Sequence, residues 1–158
     1  MLRNKKLIVI AFTLFTIVSC DKNGVFEENL VLKNNIWGMT EVAKFGVNIN
    51  DTISSHNIYI NIRNTTDYPN SNIYIFAKTI APTGVYQIDT VEFFVADEYG
   101  KWFGKGFGFL RDNQFLYKHN IRFPVKGLYQ FELQQAMRTD QLVGVANVGL
   151  RVEKNTPK

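Results

Sequence analysis

Residues 58–63 read Ile-Tyr-Ile-Asn-Ile-Arg, and they alternate without a slip. Ile58, Ile60 and Ile62 are apolar and β-branched, while Tyr59, Asn61 and Arg63 carry polar groups. Successive side chains of a strand point to opposite faces, so this period of two sends three isoleucines into a core and their neighbours toward water. The rhythm recurs along the chain. Phe45, Val47 and Ile49 follow it, as do Ile73, Ile75 and Ala77; so do Tyr129, Phe131 and Leu133, and Val148, Leu150 and Val152. Strands with one wet face belong to antiparallel sheets.

Turn signals separate these runs: Asn50-Asp51, Asp67 to Asn72, Pro82-Thr83-Gly84, Asp97 to Gly100, and Pro124 to Gly127. No window of eleven residues or more has helical spacing. The expected fold is all-β, an antiparallel β-sandwich of about eight strands, jelly-roll or immunoglobulin-like. In Pro124 to Phe131 a tight turn delivers an aromatic into an alternating strand, an arrangement that pins sandwich corners. Two places break the rhythm. Around Thr90 the apolar set changes parity, from Ile88 to Val91, Phe93 and Val95, which predicts a bulge or a strand covered on both faces. From Phe103 to Phe109 the chain alternates Phe or Lys with Gly104, Gly106 and Gly108.

The amino terminus has another purpose. Arg3, Lys5 and Lys6 precede twelve uncharged residues, Leu7 to Val18. As a helix these reach about 18 Å, short of a hydrocarbon core of about 30 Å, so the segment reads as a secretion signal and not a span. It ends in Ile17-Val18-Ser19-Cys20, which is similar to a bacterial lipobox and holds the chain's only cysteine. That similarity implies a diacylglyceryl group on Cys20 and cleavage after Ser19. The expected organisation is a signal peptide over 1–19, a lipid-anchored tether over 20–35 and a sandwich domain over 36–158, with Val31 and its neighbours a potential first strand. A lone cysteine leaves no disulfide framework, so the fold must rest on its core. The chain's net charge of +4 comes from 18 basic and 14 acidic residues. Losing Arg3, Lys5 and Lys6 leaves 15 against 14, and no basic stripe argues for nucleic acid.

Candidate chemistry is sparse. Ser54, Ser55 and Ser71 lack a nucleophile elbow, and His56 and His119 lack an acid at recognisable spacing. Asp97 and Glu98 are adjacent in a turn, where neighbouring side chains diverge. Asn64, Asp67, Asn70 and Asn72 offer oxygens to calcium but lack its carboxylate density, and they read better as turn closers. No catalytic residue, metal ligand, cofactor or small-molecule substrate is assigned. Gly104, Gly106 and Gly108 have no helix behind them to hold a phosphate. As a strand, this stretch has Phe103, Lys105, Phe107 and Phe109 on one face and bare glycine on the other. That arrangement suits either a docking strip for a partner or, preferably, close sheet packing. Trp37 and Trp102 are the aromatics available for partner docking or for stacking on a sugar ring.

The chain resembles the GldH family of gliding-motility lipoproteins, found in gliding bacteria that use type IX secretion. The likeness is carried by SCDKN at the anchor, VFEE, Trp37, INIRNTTDYPNSNIYIF, PTG, DTVEFFVADEYGKWFGKGFG, FPVKGLYQFELQQAMR and the closing VGLRVEK. The resemblance implies a lipoprotein of the cell envelope at the outer membrane, held there through Cys20. It also implies work with other motility and secretion lipoproteins and no catalysis. The alternative reading is a surface carbohydrate-binding lipoprotein.

Overall fold

The computed structural model describes residues 23–155. The expected signal peptide and the lipid site at Cys20 lie outside these residues. Ten strands follow in order: β1 (Gly24–Val31), β2 (Ile36–Gly38), β3 (Ala43–Ile49), β4 (His56–Thr65), β5 (Asn72–Ile80), β6 (Tyr86–Phe94), β7 (Leu110–Ile121), β8 (Gly127–Gln135), β9 (Gln141–Val143) and β10 (Val145–Lys154). The one helical element among the described residues is a single 3-10 turn, Lys33–Asn35.

One four-stranded sheet has the order β1-β10-β4-β7 and the other β3-β8-β5-β6; β2 and β9 form a separate ribbon. The pairings are nested. β5 pairs with β6, β4 with β7, β3 with β8 and β1 with β10, all antiparallel. The chain is thus one long hairpin, tipped at the β5–β6 turn and rolled so that its pairs enter the two sheets alternately. Contacts of β10 with β4 and of β5 with β8 complete each sheet. Eight strands in two sheets wound this way make the sandwich a jelly roll.

The alternation read from the sequence sets the core. Ile58, Ile60 and Ile62 share the inner face of the first sheet with Val148, Leu150 and Val152. Against them lie Phe45, Val47, Ile73, Ile75, Phe131 and Leu133 of the second sheet, all buried. Each such side chain contributes about 1.5–3 kcal/mol by leaving water. Tyr129 pins a corner: its hydroxyl donates to the Val125 carbonyl at 3.0 Å, within the turn that leads into β8.

Along one side the sandwich is closed by side chains. Phe93 of β6 stacks on Phe115 of β7, with centroids 4.5 Å apart. Below them Asp89 accepts from the Tyr117 hydroxyl and the Lys118 ammonium, each at 2.6 Å. Burial alone would raise the Asp89 carboxyl, but Lys118, Tyr117 and Gln87 together hold it below the usual carboxylate value. Burial and the Asp89 carboxylate push the Tyr117 hydroxyl up.

Three expectations need correction. The stretch 20–35 is not all tether, because Gly24–Val31 is the edge strand β1, packed by Phe26 and Leu30 against the core. Its outward charged residues, Glu27 among them, mask the strand pattern. Around Thr90 there is no bulge: β5 and β6 pair in unbroken register from Asn72–Phe94 to Ile80–Tyr86. The parity change arises because Asp89 takes an inward position and Ile88 an outward one. The third is the stretch 103–109, which is not a strand but part of a loop.

At the end of the sandwich where β4 begins, His56 is buried with its ring edge on Phe123, 5.2 Å away, and its Nδ1 has no partner among the described residues. Burial lowers its pKa, offset in part by Asp51. The folded state therefore favours the neutral ring, while the unfolded chain takes up a proton below about pH 6.5. Stability is full above that pH and falls as pH drops toward the lowered folded value. Melting temperatures measured from pH 7.5 to 5 should decline, and His56→Leu should flatten that slope.

Candidate functional site, an aromatic loop at one end of the sandwich

The nested pairing sorts the connections into two ends. Gly24, His56, Ile121 and Lys154 lie together through their strand registers. That end carries the turns 50–55, 81–85 and 122–126, the last two brought together where Gly127 meets the Pro82 ring. The opposite end carries segments 66–71 and 95–109, the 136–140 turn and the β2–β9 ribbon.

Segment 95–109 holds four of the docking candidates singled out in the sequence, Trp102, Gly104, Gly106 and Gly108. Its backbone is firmly tied. Val95 and Ala96 donate to the Ser71 carbonyl, Phe103 donates to Val95 at 2.9 Å, and Lys105 and Asp112 exchange two backbone hydrogen bonds. Asp97 closes its own turn, its Oδ1 accepting from the amides of Tyr99 and Lys101. The glycines serve close approach. A Cβ on Gly106 would sit 2.2 Å from the Leu110 carbonyl oxygen, and one on Gly104 would meet the Asn113 amide group at 2.8 Å. Gly108 has φ of +65° in open space, a left-handed turn residue whose carbonyl accepts from Arg111.

This tied backbone displays aromatics to water. Phe107 is 98% exposed, and Tyr99, Phe103 and Phe109 are exposed too. Lys101 and Lys105 stand among them. Trp102 is half-buried against the core and bridges to Ala96, so it supports the loop from beneath. Trp37 is elsewhere and fully buried: it lies in the β2–β9 ribbon opposite Leu142, with its indole N–H donating to the Glu41 carbonyl at 2.9 Å. A ring with no exposed face cannot stack on a sugar, so Trp37 is a core residue. Strands of three residues are too short to show a period, which is why no pattern in the sequence marks this ribbon.

A second feature lies on the outer face of the first sheet. Asn29, Gly149, Asn61 and Gln114 fall in one register row across β1, β10, β4 and β7. Gln114 donates to Asn61 at 3.1 Å and Asn61 to Asn29 at 3.4 Å. Asn29 lies across Gly149, where a Cβ would meet its Oδ1 at 1.9 Å. The row floors a polar trough flanked by Arg63, paired with Asp112, and by Arg151, paired with Glu27 and Glu153.

The remaining candidates do not converge. His56 is internal, whereas His119 is exposed and touches Asn57 at 3.1 Å. Asn64 belongs to β4 and is buried, holding the Asn113 amide at 2.9 Å, while Asn72 bonds Glu92. Among the described residues no three His, Cys, Asp or Glu side chains are grouped to hold a metal ion.

The architecture defines a class: a small jelly-roll domain with a polar outer face on its first sheet and loops gathered at both ends. The family model described as GldH lipoprotein matches residues 24–152, and the chain belongs to that family. It is similar to the gliding motility lipoprotein GldH homolog of Christiangramia forsetii, 32% identical over 154 residues that cover 93% of this chain and 94% of that one. It is also similar to gliding motility lipoprotein GldH of Flavobacterium johnsoniae, 28% identical over 160 residues covering 97% and 98%. As a member of a lipoprotein family it is held in the cell envelope by lipid.

The burial of the two aromatics separates core from surface. Trp37→Ala should destabilise the domain by about 3–5 kcal/mol. Phe107→Ser should change stability by no more than about 0.5 kcal/mol. Urea denaturation of each variant checks both.

Proposed function

We propose that this chain is a non-catalytic structural component of the outer-membrane gliding and type IX secretion machinery, anchored through acyl chains on Cys20 after removal of residues 1–19. With β1 starting at Gly24, the tether shortens to Cys20–Asn23 and the folded domain runs from Gly24 onward. The domain works by contact with other motility and secretion lipoproteins, with no cofactor, no metal and no turnover. The observation that carries this reading is the aromatic loop. A backbone fixed by hydrogen bonds leaves Phe103, Phe107 and Phe109 in water, where each ring forgoes about 1.5–3 kcal/mol of burial that a partner surface would supply. Gly104, Gly106 and Gly108 shape that loop and Trp102 supports it. Replacing Cys20 by Ala should move the protein from the membrane to the soluble fraction and stop colony spreading. Cells carrying Phe103→Ser, Phe107→Ser and Phe109→Ser together should keep the protein in the membrane and still lose spreading. Normal spreading in the triple variant would defeat the docking role.

A second reading, a surface carbohydrate-binding lipoprotein, draws on the polar trough and not on Trp37. The neutral row Asn29–Asn61–Gln114 both donates and accepts, as sugar hydroxyls require. Nuclear magnetic resonance titration with cello-, chito- and manno-oligosaccharides should then shift the Asn61 and Gln114 side-chain amides. Unmoved amides would retire this reading.

A further inference from the structure

Both ends of the sandwich expose apolar side chains among cations, and β1 starts at one of them. β1 begins at Gly24, and Lys154 donates its amide to the Asn23 carbonyl at 2.8 Å, so the start of β1 is fixed beside the start of β4 and the ends of β7 and β10. Cys20 lies three residues before Asn23. Four residues from Cys20 to Asn23 span at most about 14 Å. Whatever surface receives the acyl chains is therefore close to this end.

The turns of this end present apolar tips among cations. Ile53, at the tip of the β3–β4 turn, is 84% exposed, and Val85, in the β5–β6 turn, is 71% exposed. Tyr86 and Leu128 are exposed beside them. Arg122 and Lys126 stand exposed in the β7–β8 turn. The one carboxylate in these turns, Asp51, is committed: the Lys154 ammonium at 2.8 Å, the Ser54 amide and hydroxyl and the Ile53 amide hold it well below the usual carboxylate range. Its bonds also fix the turn that lifts Ile53 outward. Apolar side chains flanked by Arg and Lys match a bilayer interface, whose acyl boundary takes the former and whose anionic headgroups attract the latter.

We propose that the turns 50–55, 81–85 and 122–126 form a second membrane contact, seating this end of the sandwich on the lipid surface that carries the acyl anchor, with Ile53 and Val85 at the acyl boundary and Arg122 and Lys126 among anionic headgroups. This rests on acylation of Cys20. It sets the long axis of the sheets away from the membrane and turns the Phe107 loop outward.

Acylated Cys20 leaves no free thiol, so one introduced cysteine can be labelled alone. The full acylated chain carrying Ile53→Cys, Val85→Cys or Phe107→Cys is labelled with a fluorophore. Each is then placed in vesicles of phosphatidylethanolamine with a minority of phosphatidylglycerol and a lipid-borne nitroxide quencher. Labels at 53 and 85 should be quenched about threefold or more over the label at 107. Arg122→Glu with Lys126→Glu should reduce the quenching at 53 and 85. Equal quenching at all three positions, or little at 53 and 85 in a chain that floats with the vesicles, overturns the proposal and leaves the anchor standing. A chain that neither floats nor shows acyl mass fails at the anchor, and the membrane seat falls with it.

Discussion

An amphipathic sheet must bury its apolar face, and among the described residues the partner of comparable size is a second sheet. That constraint decides the molecule. Ile58, Ile60 and Ile62 can leave water only if Phe45, Val47, Phe131 and their neighbours lie opposite them. A chain of this length satisfies the demand by pairing with itself from the β5–β6 turn outward and rolling the resulting ribbon. The charged contacts at the β6–β7 side follow from the same requirement. Asp89 occupies an inward position of an edge strand, and it is tolerated there because Tyr117 and Lys118 reach it from the facing sheet.

Rolling also divides the loops. Each connection between nested pairs must emerge at one end or the other, so residues far apart in sequence are gathered without any local signal. Pro82 meets Gly127, Tyr68 meets Gly144, and Phe109 accepts from Thr66. Surfaces of this kind have different uses for the same residue types. Phe123 closes on His56 and Tyr129 inside one end, while Phe107 stands in water at the other.

The strands that carry two-residue alternation are legible in the amino-acid sequence, because each holds an unbroken apolar face: β3, β4, β5, β8 and β10 are such strands. β7 is not legible in this way, although it is the longest. Its inward positions include Asn113, whose amide bonds the Ile62 carbonyl and Asn64, and a register shift near Tyr117 breaks the parity. A polar residue satisfied by partners far off in sequence looks like a surface residue when only its neighbours are visible. β1 is hidden for a related reason, since an edge strand covers its core with only Phe26 and Leu30. The glycine-alternating stretch suggests a strand and is a loop; the close approach inferred from its glycines is present at Gly104 and Gly106, where Asn113 and Leu110 crowd in. Trp37 draws attention for its chemistry and serves as packing. Abundance of a residue type marks where to look, and burial decides what it does.

The position of β1 has a mechanical consequence under the proposed acylation of Cys20. Its first residue would then adjoin the tether, and among the described residues its one ladder is with β10, whose hydrogen bonds run perpendicular to both strands. A pull between the bilayer and a load gripped at the far tip would act along the strand axis. The ladder would then be strained in shear, with its bonds resisting together, and would not be peeled open one rung after another. A domain threaded in this way is suited to bearing traction at its root.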